Sequence, residues 1–441
     1  MTTDVQTPDV DRVTEKSESV LRAARRIFAQ RVGPCSSTGP SAHAVTAVTT
    51  PLVFAKAKGA TVTDIDGNDY IDFALDRGTN ILGHADERVV AAISKAASKG
   101  LGFSSPSQSQ VRLAEMIVGR FPSIDTVFLT HSHARAVASA IRVARAETGR
   151  CGVAVVRGSV AEIIARTPDL GSAMTGASSY PASADRDVPD HTFVAERNAP
   201  PLLKEIVEAN GPSIAAVVVE PFSVSTGVCP PPDGHLAALR ATCDLYGALL
   251  VFDDSVIGLR VGPNGAEGAT GVTPDLTCIG SELSSGLPLA ALGGNRDVMR
   301  NVDSTAGLNT TCDAPIDDLA VAAGIVVLQA LAEPESYDAL NTLASRLAQG
   351  INAALLSAGR RGEAYPLAGL VGVGHPAADE AGETSNMPVT QTAAFFDSLL
   401  RKGIMPPLGV SVPWAVSAAH GHGEIDRAVE AFGATLDSTR S

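Results

Sequence analysis

Between residues 86 and 330, short runs of consecutive apolar residues alternate with longer stretches whose apolar positions recur every three or four residues. The runs are 126–129, 153–156, 214–219 and 248–252, rich in valine, isoleucine and leucine. Unbroken runs of this kind read as strands buried on both faces. The stretches 86–99, 107–120 and 135–147 carry helical spacing. Strand and helix in alternation predict an α/β fold: a large, mostly parallel sheet with helices on both faces. Outside this region the pattern is looser. Val20, Leu21, Ala24, Ile27 and Phe28 lie on one helical face within 17–31. Residues 1–15 read as disordered, 32–50 as a loop and 165–200 as an irregular excursion. Asp66-Gly67-Asn68 between two alternating segments signals a hairpin. A helix is expected over 318–333. Further helices over 336–358 and 390–402, with short strands, build a second, smaller α/β unit. The predicted organisation is an N-terminal segment, 1–85, that joins the small domain; a large domain, 86–330; and a C-terminal small domain, 331–441.

Composition narrows the partners. The chain is 45% hydrophobic and 19% charged, which suits a buried core and excludes a disordered chain. Its 48 acidic residues against 34 basic give a net charge of −14, which repels phosphate backbones. Aromatic residues are only 4%, too few for base-stacking platforms. No nucleic-acid partner is expected. No apolar run reaches the roughly 20 residues of a membrane span, and the polar start lacks a signal-peptide core. The expectation is a cytoplasmic protein without a membrane partner. The six cysteines contain no C-x-x-C pair, so reduced thiols and no metal site are expected.

Candidate chemistry begins at strand ends. The run 214–219 leads into Glu220-Pro221, and the next ends in Asp253-Asp254. In open α/β sheets ligands gather at the carboxyl ends of strands, which makes Asp253 a candidate from position alone. Collinear segments then carry a resemblance that covers residues 17 to 435. They include Gly59-Ala60-Thr61-Val62-Thr63-Asp64, Ile81-Leu82-Gly83-His84, Val219-Glu220-Pro221, Ala248-Leu249-Leu250-Val251-Phe252-Asp253 and Gly286-Leu287-Pro288. On these the chain resembles the class III aminotransferases of fold type I, nearest the glutamate-1-semialdehyde aminomutase branch. The resemblance implies a pyridoxal phosphate (PLP) transferase fold and a homodimer.

The resembling family needs a lysine for the Schiff base, an Asp on the ring nitrogen, a Ser-Gly-Thr turn under the phosphate and an aromatic stack on the ring. Only the Asp is kept, as Asp253. Ser281 stands at the lysine position, and no lysine occurs between Lys204 and Lys402. The phosphate turn reads His131-Ser132-His133-Ala134-Arg135-Ala136, and Val160-Ala161 replaces the aromatic-His pair. Arg77 stands at a tryptophan position of the aminomutase pattern and Val412 at an acidic one. A threonine contributed across subunits falls near Thr310-Thr311-Cys312-Asp313.

A chain that keeps the family's strands and glycines, while the residues that would hold the cofactor are replaced together, implies a repurposed pocket. His131, His133 and Asp253 are the candidate catalytic groups, with Ser281 a nucleophile if a base lies in reach. Ser132, Arg135, Arg77, Glu220 and Glu282 are the candidate ligand-binding groups, because cationic groups at a helix N-terminus invite an anion. The expected function is a cofactor-free, degenerate member of the family acting on a small anionic or amino-acid-derived metabolite in specialised metabolism. Two alternatives stand beside it: an inactive binding or regulatory subunit of an active paralogue, and an aminotransferase or aminomutase holding PLP or its amine form (PMP) non-covalently through Asp253.

Overall fold

The computed structural model describes residues 14–27, 52–103, 105–157, 159–166, 191–196, 202–223, 228, 230–255, 257–300, 302, 316–374, 389–407 and 412–438. The expected disordered start, the 32–50 loop, most of the 165–200 excursion and the Thr310–Asp313 position lie outside these residues. The chain divides into two compact units. One comprises Met1–Asp86, Val224–Cys229 and Glu335–Ser441, and the other Glu87–Ser223 and Pro230–Pro334.

The first unit holds two small sheets. Strands β1 (Phe54–Lys58), β2 (Thr61–Asp64) and β3 (Asp69–Asp72) are antiparallel neighbours, and β13 (Ile404–Met405) pairs with β3 in parallel. The predicted hairpin joins β2 to β3. Its turn is tied by Asp64, whose carboxylate accepts from the Asp66 and Asn68 backbone N–H groups and from the Tyr70 hydroxyl. Gly67, at φ +94°, supplies the left-handed residue that the turn needs. A second sheet holds β11 (Glu363–Leu367), β12 (Leu370–Gly374) and β14 (Trp414–Ala415). The Phe73 ring lies 5.3 Å from the Trp414 ring and 4.8 Å from that of His420, forming part of this unit's own core.

The second unit is built on a seven-stranded sheet. Its strands are β4 (Thr126–Thr130), β5 (Gly152–Val156), β6 (Thr192–Ala195), β7 (Ile214–Val219), β8 (Leu249–Asp254), β9 (Leu276–Ile279) and β10 (Ala290–Gly294), in the order β4-β10-β9-β8-β7-β5-β6. Strands β6, β5, β7, β8 and β9 pair in parallel, and β10 alone runs antiparallel to β9 and β4. The carboxyl ends of all strands but β10 therefore meet at one edge. Helices cover both faces, which is why β7 is buried at every residue.

One of these helices, His133–Thr148, follows directly from β4. Ser132 caps its start: its hydroxyl accepts from the Arg135 backbone N–H at 3.3 Å. Gly149, at φ +67°, ends it. Its Val137, Ile141 and Val143 pack into a core with Val153, Val218, Val251 and Leu276, so the position of His133 is fixed by apolar packing one turn away.

No single described helix is long and apolar enough to cross a membrane. The described cysteines, Cys151, Cys243 and Cys278, are free thiols.

Candidate functional site

Strand β8 runs two residues further than the apolar run predicts, so Asp253 and Asp254 lie inside the strand. Side chains alternate along a strand, and the two carboxylates accordingly meet different neighbours. The Asp253 side chain is 2% exposed, and both its oxygens lie 2.9 Å from the His133 Nε2. The Ser255 hydroxyl also donates to it. Burial raises the Asp253 pKa, but His133 and the Ser255 hydroxyl and backbone N–H outweigh burial and hold the carboxyl below its usual range. Asp253 is thus a buried carboxylate kept ionised, and its chief donor is a heteroaromatic nitrogen.

Asp254 is shaped the other way. One oxygen accepts from the Ala266 N–H, while Oδ1 is buried with no hydrogen-bond partner among the described residues. Burial, with Asp253 and Glu267 adding to it, pushes the carboxyl up to about 7. A Cβ at Gly258 would come within 2.3 Å of this carboxyl, and one at Gly265 within 2.4 Å. The two glycines let the following loop close over Asp254.

Residue 281 opens a short 3-10 turn, Ser281–Ser284, beyond β9. A Cβ on Gly280, just before it, would lie 3.5 Å from the His133 Cβ and 3.0 Å from the Ser255 Cβ. The turn after β9, the start of the His133 helix and the end of β8 therefore converge. Ser281 is half-buried beside this point. Glu282 is 1% exposed, accepts from the Leu259 N–H and lies 3.7 Å from the fully buried Arg260 Nε. Burial lowers the Arg260 pKa to about 10 and raises Glu282 well above the carboxylate range, each against the other's attraction. At that distance attraction does not offset the loss of water.

The predicted residues are thus only partly gathered. His133 and Asp253 meet, Ser132 caps the helix that carries His133, and Ser281 lies at the next position beyond Gly280. His131 and Glu220 are half-buried, at the carboxyl ends of β4 and β7. Arg135 is buried in the first turn of the helix, where burial and the nearby Arg142 lower its pKa. Arg77 belongs to the first unit, where it is exposed. There Leu75, Asp76 and Arg77 are three successive non-glycine residues at positive φ, a strained run the sequence did not announce. Sequence reasoning also missed Ser255 and Arg260. Their trace in the sequence is the extra acids, Asp254 and Glu282, that stand beside them.

Three comparisons place this geometry among known proteins. The family described as aminotransferase class-III matches residues 42–405. A glutamate-1-semialdehyde 2,1-aminomutase of Desulfosudis oleivorans is 35% identical over 395 residues, 87% of this chain and 91% of that one. A transaminase solved with PLP bound superposes with a TM-score of 0.80 at 28% identity, covering 97% of this chain and 98% of that one. A lysine-to-alanine variant of a glutamate-1-semialdehyde aminomutase from Pseudomonas aeruginosa, in complex with PMP, shares the fold with a TM-score of 0.75 at 21% identity. It covers 98% of this chain and 99% of that one.

These findings correct the expectation of a cofactor-free pocket. Similarity along nearly the whole chain to PLP- and PMP-holding proteins points to that cofactor. The expectation rested on the replaced lysine position, phosphate turn and aromatic stack taken together, and the relatives overturn it. Asp253 and the helix start are the parts of the site that fit such a group. Asp253 is already ionised and already accepts from a ring nitrogen, and the adjoining helix start favours an anionic group.

Proposed function

The chain belongs to the class-III aminotransferase family, and on that premise we propose that it holds PLP or PMP non-covalently and acts on the amino group of a small amino-acid-like or anionic metabolite. The observation that carries the proposal is Asp253: a buried, ionised carboxylate at the end of β8 that takes a heteroaromatic nitrogen. Bound there, the cofactor supplies an electron-withdrawing ring that eases loss of a proton from the carbon bearing a substrate's amino group. The chain's own part is to stabilise charge and move protons. Asp253 would hold the ring nitrogen in its protonated form. Ser132 and the start of the His133 helix would receive the anionic group, where the helix dipole favours negative charge. No lysine lies between Lys204 and Lys402, so attachment is by these contacts alone. His131, in the same turn, is the candidate proton-moving group. A cytoplasmic homodimer is part of the proposal.

An absorbance titration with PLP and with PMP, followed by borohydride reduction and intact mass, tests it. Saturable binding with an unchanged protein mass is expected. Asp253→Asn should weaken binding by about tenfold or more, since a charge-assisted hydrogen bond is lost. Absence of saturable binding, or equal affinity in Asp253→Asn, overturns the proposal.

A further inference from the structure

The nitrogen that Asp253 accepts from in this structure is the protein's own. We infer that His133 is a built-in competitor for the cofactor's seat, and that PLP or PMP reaches Asp253 only by turning the His133 imidazole away. The inference rests on the function proposed above and adds to it the determinant of cofactor affinity.

Three observations carry it. First, the carboxylate is occupied from the His133 side: both Asp253 oxygens lie 2.9 Å from His133 Nε2, and Ser255 donates to one of them. A ring nitrogen arriving from outside finds no vacant lone pair in the position His133 occupies. Second, the imidazole is the cover. The His133 side chain is 16% exposed and that of Asp253 only 2%, so His133 lies toward solvent and Asp253 behind it. Third, the imidazole connects the helix start to β8. It starts at the first residue of the helix and ends on β8. A molecule with its anionic group at that helix start and its ring nitrogen on Asp253 would meet the imidazole on the way.

The device is cheap to open. His133 is the first helical residue, so no preceding turn restricts its side-chain rotation. Two states follow: closed, with His133 on Asp253, and open, with Asp253 presented to a ligand. Apparent affinity for the cofactor is the intrinsic affinity reduced by the fraction of open protein.

The test uses the full chain as wild type, His133→Ala, His133→Gln and Asp253→Asn, each titrated with PLP and PMP by absorbance and by thermal shift. Removing the imidazole should tighten binding by about ten- to a hundredfold. Without cofactor, His133→Ala should melt below wild type, because Asp253 loses its chief donor; PMP should raise its melting temperature more than it raises that of wild type. His133→Gln keeps an amide N–H for Asp253 and should fall between the two, and it carries the test if His133→Ala does not fold. If His133→Ala binds no tighter than wild type while Asp253→Asn weakens binding, His133 is part of the seat rather than its occupant, and this inference fails alone. If wild type shows no saturable binding, the proposed function fails and this inference with it.

Discussion

Asp253 and Asp254 are adjacent, both buried, and titrate in opposite directions. The sequence singles out the pair, because two acids end an apolar run. It does not say which one is ionised. That depends on His133, 120 residues earlier, and on Gly258 and Gly265, which let the loop seal Asp254 from water. Glu282 shows the same gap between sequence and structure: it stands next to Ser281, yet its contacts are Leu259 and Arg260. The raised Asp254 pKa has a consequence for stability. The folded chain keeps that proton up to about pH 7, whereas the unfolded chain releases it near 3.8. Between these values the native state binds more protons, so this group's contribution to stability declines as pH rises through the window. Asp254→Asn removes the ionisation. Its melting temperature relative to wild type should be several degrees higher at pH 8 than at pH 4. A relative melting temperature that does not change with pH would show that Asp254 ionises normally.

Among the elements, the parallel core was the most legible part. The run 214–219 is β7 residue for residue, and the others fall within two residues of their strands. The physical reason is burial on both faces, which demands continuous apolar side chains. Strand β10 was hidden by the opposite circumstance. Its Ala290-Ala291-Leu292-Gly293-Gly294 has weak strand propensity, but neighbours that crowd it require small residues. A Cβ on Gly293 would stand 2.4 Å from the end of Ile124, and one on Gly294 2.7 Å from Leu276. Gly293→Ala should therefore destabilise the chain by about 1–3 kcal/mol through overpacking, despite alanine's ordinary advantage over glycine within a strand. Chemical denaturation measures this, and a neutral or stabilising result would mean that Ile124 moves aside freely. The His133 helix was expected two residues later than it starts. Those two residues matter, because they make His133 part of the helix and aim it at β8.

Over the whole molecule, the scaffold and the site carry different amounts of information. Resemblance spread over many segments placed the chain in its family, and the family match over residues 42–405 agrees. The same resemblance, read at the replaced lysine position, phosphate turn and aromatic stack together, led to the expectation of no cofactor, which the relatives overturn. A covalent anchor is the easiest feature to see as absent in a sequence. A ring-nitrogen seat is a three-dimensional arrangement of β8, the end of β9 and the start of a helix, and only Asp253 marks it. The central claim is that this seat takes the cofactor once His133 leaves it. The most direct test is a crystal structure of the full chain grown with saturating PMP. The account predicts the PMP ring nitrogen within hydrogen-bonding distance of Asp253, the His133 imidazole rotated away, and no covalent bond to the protein. His133 still seated on Asp253, with PMP absent or held by other residues, would contradict it.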